Sequence, residues 1–329
     1  MICVWLELLV AMFWNVENFF DPFDDPLKND DEFTAVAARH WTWARFEHKR
    51  DGLAQTIVAA ADVWGTLPAL VGLAEVENTL VVSQLVRKTL LEELDYGYIH
   101  RESPDERGID VALLYRKDLL RVVAVDSLRV PGFATRDILY VTLRDKRSGA
   151  VDVPLPEHLS ARATEHQSAA ERGRLPDEGF LHVFVVHLPS KRGGARASDS
   201  RREAALGVLQ TAVDSLRARD AGCRILVMGD FNDEDCAVGG LAEPTPEAGP
   251  DTPGTLKYHG RWERIDHFFL SSSLKGRAKI FAPPFLLEKD AAYLGVKPRR
   301  TFVGPRHNGG LSDHLPIMLK IEANGEKIR

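Results

Sequence analysis

Residues 224–233 read RILVMGDFND, an apolar run fit for a buried strand that stops at Asp230, Asn232 and Asp233. The same event recurs at WNVEN (Asn15, Glu17), LAEVEN (Glu75, Glu77), VVHLPSKRGG (His187), RIDHFF (Asp266, His267) and LSDHLPI (Asp313, His314). Polar groups that end a buried strand need either a solvated turn or a shared task. Repetition at six such tips favours the task. It also restricts the fold, because many short strands are needed to bring that many ends to one edge.

Strand-like runs rich in Val, Ile, Leu and Phe lie at 8–14, 69–76, 110–116, 120–130, 138–144, 181–188, 224–231, 264–271 and 314–321. Helical periodicity occupies 43–62; 79–94, with Val82, Leu85, Val86 and Leu90 on one face; and 200–219, with Leu206, Leu209, Val213 and Leu216 in register. Ala221 and Gly222 form a stop between this last helix and the next strand. So many strands do not fit one parallel sheet. The expected fold class is α+β, with two sheets packed face to face and helices on their outer faces. No linker separates two cores, so a single domain over 1–329 is expected. The polar segment 146–179 and the Pro, Glu and Gly-rich stretch 239–254 are expected to be exposed.

A chain of 329 residues, 44% hydrophobic and 27% charged, has the apolar material for a sizeable core, which excludes disordered and collagen-like classes. Cys3, Cys223 and Cys236 lack the paired spacing of a zinc site or a disulfide framework, so reduced thiols are expected. The first twenty residues are apolar, but no Lys or Arg precedes the run and Glu7 interrupts it. Neither a signal peptide nor a transmembrane helix is expected, and the cytoplasm is the expected location. A net charge of -6 excludes a general basic coat, yet KRGGARASDSRR at 191–202 and KPRR at 297–300 are local basic clusters. Overall charge therefore does not decide whether the partner is nucleic acid. Oligomeric state is not legible.

Side chains at i and i+2 of a strand share a face, so Asn15 with Glu17, and Asp230 with Asn232, are expected to point into one cleft. Asp233 would face the other way. Glu75 and Glu77 have the same parity, and alternation does not choose between them. Carboxylates, carboxamides and imidazoles without a thiolate suit Mg²⁺ or Mn²⁺, which take one or two carboxylates and leave positions for water and substrate phosphate. Phosphoester hydrolysis is the chemistry that most needs this set: the metal offsets phosphoryl charge, a base activates water, and donors hold the transition state.

FWNVENFFD, LAEVEN, RGIDVALLYR, HLPSKRGG, VMGDFND, RIDHFFLS and LSDHLPI, in order over residues 13–317, resemble the motif series of the endonuclease/exonuclease/phosphatase superfamily. DEFTAVAARHWTWARF, TLKYHGRWERIDHFF and RTFVGPRHNGGLSDH are similar to a bacterial branch of it. The resemblance implies a four-layer αββα sandwich of two mixed sheets, with the site at one sheet edge. It implies that Glu75 is the principal metal ligand, that Asn15 lies near metal and phosphate, that Glu17 contributes to a second metal position, and that Asp313 is an acid near the metal. Asp230 and Asn232 resemble the pair that positions the attacking water. His314, oriented by Asp266, resembles the phosphate-facing imidazole, and either Asp230 or this pair takes the proton from water. His187 is expected to bind phosphate or protonate the leaving oxygen, with Asp110 orienting it. His267 is expected to face solvent or packing.

Lys191 and Arg192 are expected phosphate contacts. Trp41, Trp43 and Trp262, beside Arg39 and Arg261, suit a substrate entrance, with packing as the competing role for the two Trp of RHWTW. The leading expectation is a Mg²⁺ or Mn²⁺-dependent phosphodiesterase, a nuclease acting on DNA or RNA. A phosphomonoesterase or a lipid or inositol-phosphate phosphoesterase is the alternative, and a catalytically silent phosphate-binding module a third. The chain has no long basic recognition loop of the abasic-site type and no lipid-headgroup motif, so the substrate class stays open.

Overall fold

The computed structural model describes residues 9–148, 179–190 and 195–322. Its main strands in chain order are β1 (Leu9–Phe19), β2 (Leu70–Val76), β3 (Tyr96–His100), β4 (Asp110–Arg116), β5 (Leu120–Leu128), β6 (Ile138–Asp145), β7 (Phe180–His187) and β8 (Arg224–Asp230). A short hairpin, β9 (Leu256–Tyr258) and β10 (Arg261–Glu263), precedes β11 (Asp266–Leu270) and β12 (Lys275–Ile280). Two further short pairs, β13 (Leu287–Lys289) with β14 (Val296–Pro298) and β15 (Phe302–Val303) with β16 (Arg306–His307), lead to β17 (Ile317–Glu322). Helices are α1 (Trp43–Ala59), α2 (Ala61–Trp64), α3 (Thr79–Arg87) and α4 (Ala195–Arg219).

The first sheet has the order β12-β17-β1-β2-β4-β3 and the second β11-β8-β7-β6-β5. Each is mixed: β1 with β2, and β7 with β8, are the parallel pairs, and the other neighbours are antiparallel. Strands β1 and β2 pack on β8, and β4 packs on β7, so the sheets lie face to face. At Gly72 an added Cβ would stand 2.6 Å from the Met228 sulfur, a close approach that lets the layers meet.

Alternation along β7 and β8 explains why both runs are apolar throughout. Val183, Val185, Leu226 and Met228 point into the core between the sheets. Phe184, Val186, Ile225 and Val227 point the other way, into a second core with Leu209, Val213 and Leu216 of α4. A strand covered on both faces has no solvated side to advertise. On the outer face of the first sheet, α1 packs on β1 and α3 on β3. This is the layered sandwich expected from the sequence.

Differences from the sequence reading are local. The helix expected over 79–94 stops at Arg87. Its N-terminus is capped by Asn78, whose side chain accepts from the Val81 N–H. Beyond Arg87 the chain turns, leaving Leu90 54% exposed instead of on the apolar face. Strand β12 reads KGRAKI and has no apolar run, because as an edge strand it buries Ala278 and Ile280 while its charged residues face water. The polar insertion falls, over 149–178, outside the described residues. Among the described residues no helix is long and apolar enough to cross a membrane, and Cys223 and Cys236 are free thiols.

Candidate active site

Parallel pairing sends the ends of β1 and β2, and those of β7 and β8, in one direction. Their antiparallel neighbours begin there: Asp266 of β11 lies opposite Asp230, and Asp110 of β4 opposite Val76. The two sheets meet at this edge through Asn15, whose Nδ2 donates to Asp230 Oδ2 at 3.0 Å. Ser312 ties the last motif in, donating to Asn15 O at 2.6 Å and accepting from the His314 N–H at 2.9 Å. The Trp14 indole N–H donates to His314 O at 2.9 Å.

Asp230 is the hub. Besides the Asn15 bond, Oδ2 lies 3.6 Å from His187 Nε2 and 3.9 Å from His314 Nε2, while Oδ1 accepts from the Asn232 N–H at 2.9 Å. The other ring nitrogen of His314 is 2.9 Å from Asp266 Oδ2. Burial, then the Asp266 charge, pushes the Asp230 carboxyl up to about 7, against the pull of His314, Asn15 and Asn232. For His314 burial works against the charged form, but Asp266, Asp230 and Asp313 outweigh it and hold the imidazole well above its usual range. His187 goes the other way: burial, then Arg136 and Arg107, push it well below. The surroundings of the two buried imidazoles beside one carboxylate thus act in opposite directions, favouring the charged form of His314 and the neutral form of His187.

Glu75 sits on an irregularity where the β2–β4 register shifts between Ala74 and Val76, with φ +62°. A bulge re-aims its side chain, so Glu75 and Glu77 take different directions although their parity is the same. Glu75 Oε2 accepts from the Asn18 N–H at 2.8 Å, and Oε1 lies 3.8 Å from Arg107. Glu77 instead accepts from the Asp21 N–H at 2.6 Å and serves the adjoining loop. Glu17, Asn18 and Asn232 also have positive φ, at 48°, 53° and 52°. Four of the eight non-glycine residues with positive φ among the described residues thus fall in the strand-tip motifs, the others being His40, Asp95, His259 and Leu294.

Alternation does not account for the pairs it was used to explain. Strand β8 ends at Asp230, and Asn232 reaches it by a turn, its Nδ2 donating to Leu188 O at 2.9 Å. Asn15 and Glu17 diverge: the Asn15 carboxamide is engaged at both ends, by Asp230 and by the Glu17 N–H at 3.0 Å. Glu17 faces Thr301, whose N–H it accepts at 2.7 Å, and Arg300 at 3.0 Å. Arg300 also binds Asp313 at 2.9 Å. Two of the three acids expected near a metal, Glu17 and Asp313, are therefore bridged by a guanidinium. Burial and the Asp313 charge raise the Glu17 carboxyl to about 7, opposed by Lys49 and Arg300.

Asp110 is not joined to His187 by any hydrogen bond or ion pair among the described residues. It lies 3.5 Å from His100 Nε2, because β3 and β4 bring those two side chains to one sheet edge. Trp262 is half-buried, packed on the main core under Lys257, whose Nζ stands 5.9 Å from the ring centre. Trp41 is fully buried against Phe302, and Trp43 packs on Phe23 and Phe46. His267 is buried, with Nδ1 2.8 Å from Glu243 Oε1 and Nε2 2.9 Å from Asp233 O. Lys191 and Arg192 lie outside the described residues.

The sequence reading missed the cations of the site. Arg107 donates to Asn18 Oδ1 at 2.7 Å. Arg136, 8% exposed, binds Asp105 and Leu188 O, each at 3.2 Å. Lys49 donates to Glu17 O and, at 2.7 Å, to Thr301 Oγ1. A signal was present for Lys49, which shares the buried stripe of α1 with Phe46 and Leu53. A lysine in an apolar stripe asks for a partner.

The donor chemistry fits a divalent cation. Glu75 brings a carboxylate, 13% exposed, to the site with lone pairs beyond its two contacts. Asp230 and Asp266 bring further carboxylate oxygens within 4.8 Å of each other, although Asp266 is also bonded to His314. Hard oxygen donors of this kind hold small divalent ions together with water and substrate.

The sequence profile described as Endonuclease/Exonuclease/phosphatase family matches residues 10–172, 161–239 and 249–323. The fold is similar to that of an endonuclease/exonuclease/phosphatase family protein from Bacteroides thetaiotaomicron, with a TM-score of 0.59 and 14% identity, covering 97% of this chain and 99% of that one. It is also similar to the mannosyl-6-phosphatase of the same organism, with a TM-score of 0.56, 14% identity and coverage of 95% and 99%. The human Nocturnin catalytic domain with bound sulfate aligns with a TM-score of 0.53, 17% identity and coverage of 96% and 93%. No curated protein matches the sequence. With the profile spanning nearly all of the described chain, this protein belongs to the endonuclease/exonuclease/phosphatase family and is a phosphoesterase.

Proposed function

We propose that the protein is a divalent-metal-dependent phosphodiesterase that hydrolyses nucleic acid by in-line attack of water, with Asp230 as general base. The observation that carries this reading is the placement of the Asp230 carboxylate, held by the Asn15 carboxamide and the Asn232 N–H and standing 3.6 Å from His187 Nε2 and 3.9 Å from His314 Nε2. His314 is engaged at Nδ1 by Asp266, and the carboxylates around it favour its charged form, which suits it to stabilising charge more than to taking a proton. Asp230, pushed to about 7, suits proton transfer near neutral pH.

As the water oxygen forms its bond to phosphorus, Asp230 accepts one proton. The leaving oxygen departs with the electron pair of the broken P–O bond and takes a proton from solvent. His314 offers a fixed positive charge to the phosphoryl oxygens. His187, neutral, acts as a hydrogen-bond donor to phosphate, in place of the leaving-group acid considered from the sequence. Asn15 and Asn232 fix the carboxylate of Asp230. Mg²⁺ or Mn²⁺ bound at Glu75 would supply Lewis-acid stabilisation of the phosphoryl charge.

The rim supports a nucleic acid over a small sugar phosphate. Leu256 of β9 bridges to His314, and two residues along, Tyr258 is 59% exposed with His259 edge-on to it at 4.2 Å. His259 Nδ1 is 3.2 Å from the hydroxyl of Tyr293, itself 52% exposed. These exposed rings, together with the guanidinium groups of Arg107 beside Glu75 and Arg300 beside Glu17, 42% and 39% exposed, suit stacked bases on a charged backbone.

The test is hydrolysis of plasmid, single-stranded DNA, RNA, a sugar phosphate, an inositol phosphate and a phospholipid, each with Mg²⁺, Mn²⁺ or chelator. Cleavage of a nucleic acid that chelator abolishes is expected. Turnover confined to the sugar or inositol phosphate would establish a phosphomonoesterase instead, and activity untouched by chelator would overturn the metal.

A further inference from the structure

Strand β3 ends at His100 and β4 begins at Asp110, and the loop between them carries Glu102 and Arg107. The side chains of His100 and Asp110 are 1% and 3% exposed, with His100 Nε2 3.5 Å from Asp110 Oδ2. Glu102, 60% exposed, lies 3.8 Å from His100 Nδ1. One donor atom from each of the three falls within 4.8 Å of the others. Nε2 of His100 and Oδ1 of Asp110 have no hydrogen-bond partner among the described residues. Hydrolysis at Asp230 uses none of these three.

The other ring nitrogen is engaged. His100 Nδ1 is 3.1 Å from Thr79 Oγ1, at the first residue of α3. In the tautomer with the proton on Nδ1, the Thr79 hydroxyl accepts from it and the Nε2 lone pair is aimed at Asp110, the arrangement by which an outer partner orients a metal-binding histidine. A lone pair and a carboxylate facing each other in a buried place repel unless a cation lies between them. A proton there would draw nitrogen and oxygen to about 2.7–2.9 Å. Two ligand atoms about 2.0–2.2 Å from a tetrahedral ion stand roughly 3.4 Å apart. The separation of 3.5 Å matches the second case.

We infer that His100, Asp110 and Glu102 form a second divalent-cation site, separate from the hydrolytic centre. One imidazole with two carboxylates selects Zn²⁺, Co²⁺ or Mn²⁺ over Mg²⁺. Glu102 also lines a cleft with Asp21, Asp24, Asp25 and Glu77, an acidic approach that concentrates cations. The ion would clip the two ends of the 101–109 loop. That loop presents Arg107 to Asn18 and Glu75, so the site is structural and supports the catalytic edge from one strand away.

Cobalt titration with Mg²⁺ in large excess tests this, read by visible d–d absorption and by equilibrium dialysis. One Co²⁺ per chain is expected in the wild type and in Glu75→Gln, and none in His100→Asn or Asp110→Asn. Thr79→Val should weaken binding about 10- to 100-fold, and Co²⁺ should raise the unfolding midpoint of the wild type but not that of His100→Asn. Binding retained in a folded His100→Asn, or lost in Glu75→Gln, would overturn the site. Should the buried variants not fold, Glu102→Gln decides, because its side chain is exposed: affinity at least tenfold weaker supports the site and unchanged affinity refutes it.

Discussion

Asn15 donates its carboxamide to Asp230 across 215 positions of sequence at 3.0 Å, and through that bond the two sheets share the edge proposed to be catalytic. The carboxamide oxygen is held in turn by the Glu17 N–H. Asn15 is therefore fixed by its own strand before it fixes Asp230, and the bond needs little reorganisation when substrate enters.

Replacing Asn15 with Ala should lower kcat about 10- to 100-fold with KM changed less, because the donor that holds Asp230 Oδ2 is lost. Thermal unfolding should move by only ~1 kcal/mol. Steady-state kinetics beside a melting curve separate the two effects, and wild-type kcat would remove Asn15 from the site.

Asp230→Asn keeps the shape of the side chain and removes the base, so turnover should fall at least about a hundredfold. In the wild type the rate should rise with pH through about 7 as Asp230 loses its proton. The residual activity of the variant should lack that limb, and a pH profile with the same limb would assign the titration to another group.

Arg300→Met would leave the carboxylates of Glu17 and Asp313, 5% and 23% exposed, without their shared guanidinium. Allowing for the 39% exposure of Arg300 itself, a loss of ~2 kcal/mol is expected in urea unfolding. Adding Asp313→Asn to the same chain should recover part of it by removing the repulsion. No recovery would mean that packing of the arginine stem, not charge, carries the effect.

His267 should make stability depend on pH. Burial disfavours its charge, but hydrogen bonds to Cys236, Glu243 and Asp233 O outweigh that and raise it from 6.5 to about 10. With the folded value above the unfolded one, the contribution is fully present below pH 6.5 and is lost as pH climbs through 10. Against His267→Gln the wild type should be more stable by ~2 kcal/mol at pH 6, with the difference vanishing near pH 10.5. An equal difference at both ends would show that charge plays no part.

Much of this was legible because buried strands announce themselves. The two-faced runs of β7 and β8, and the polar residues at their tips, mark the candidate edge from sequence alone. Side-chain direction at those tips was not legible, since period-2 reasoning fails where the backbone leaves extended geometry, as it does at Glu17, Glu75 and Asn232. Partners were harder still. Asp110 meets His100 because of antiparallel register, and Arg300 meets Glu17 across 283 positions, which no local spacing encodes. Edge strand β12 was missed because its burial comes from one neighbour and not from its own composition.

Strand β8 carries Asp230 at one end and starts beside the turn at Asp220 and Gly222, where the Gly222 N–H is held by the Asp220 carboxylate. Seven extended residues separate the ends by roughly 20 Å. This exposed turn is therefore a natural place to graft a reporter peptide or to open new chain termini, since a change there is felt at Asp230 only through a strand clamped on both faces.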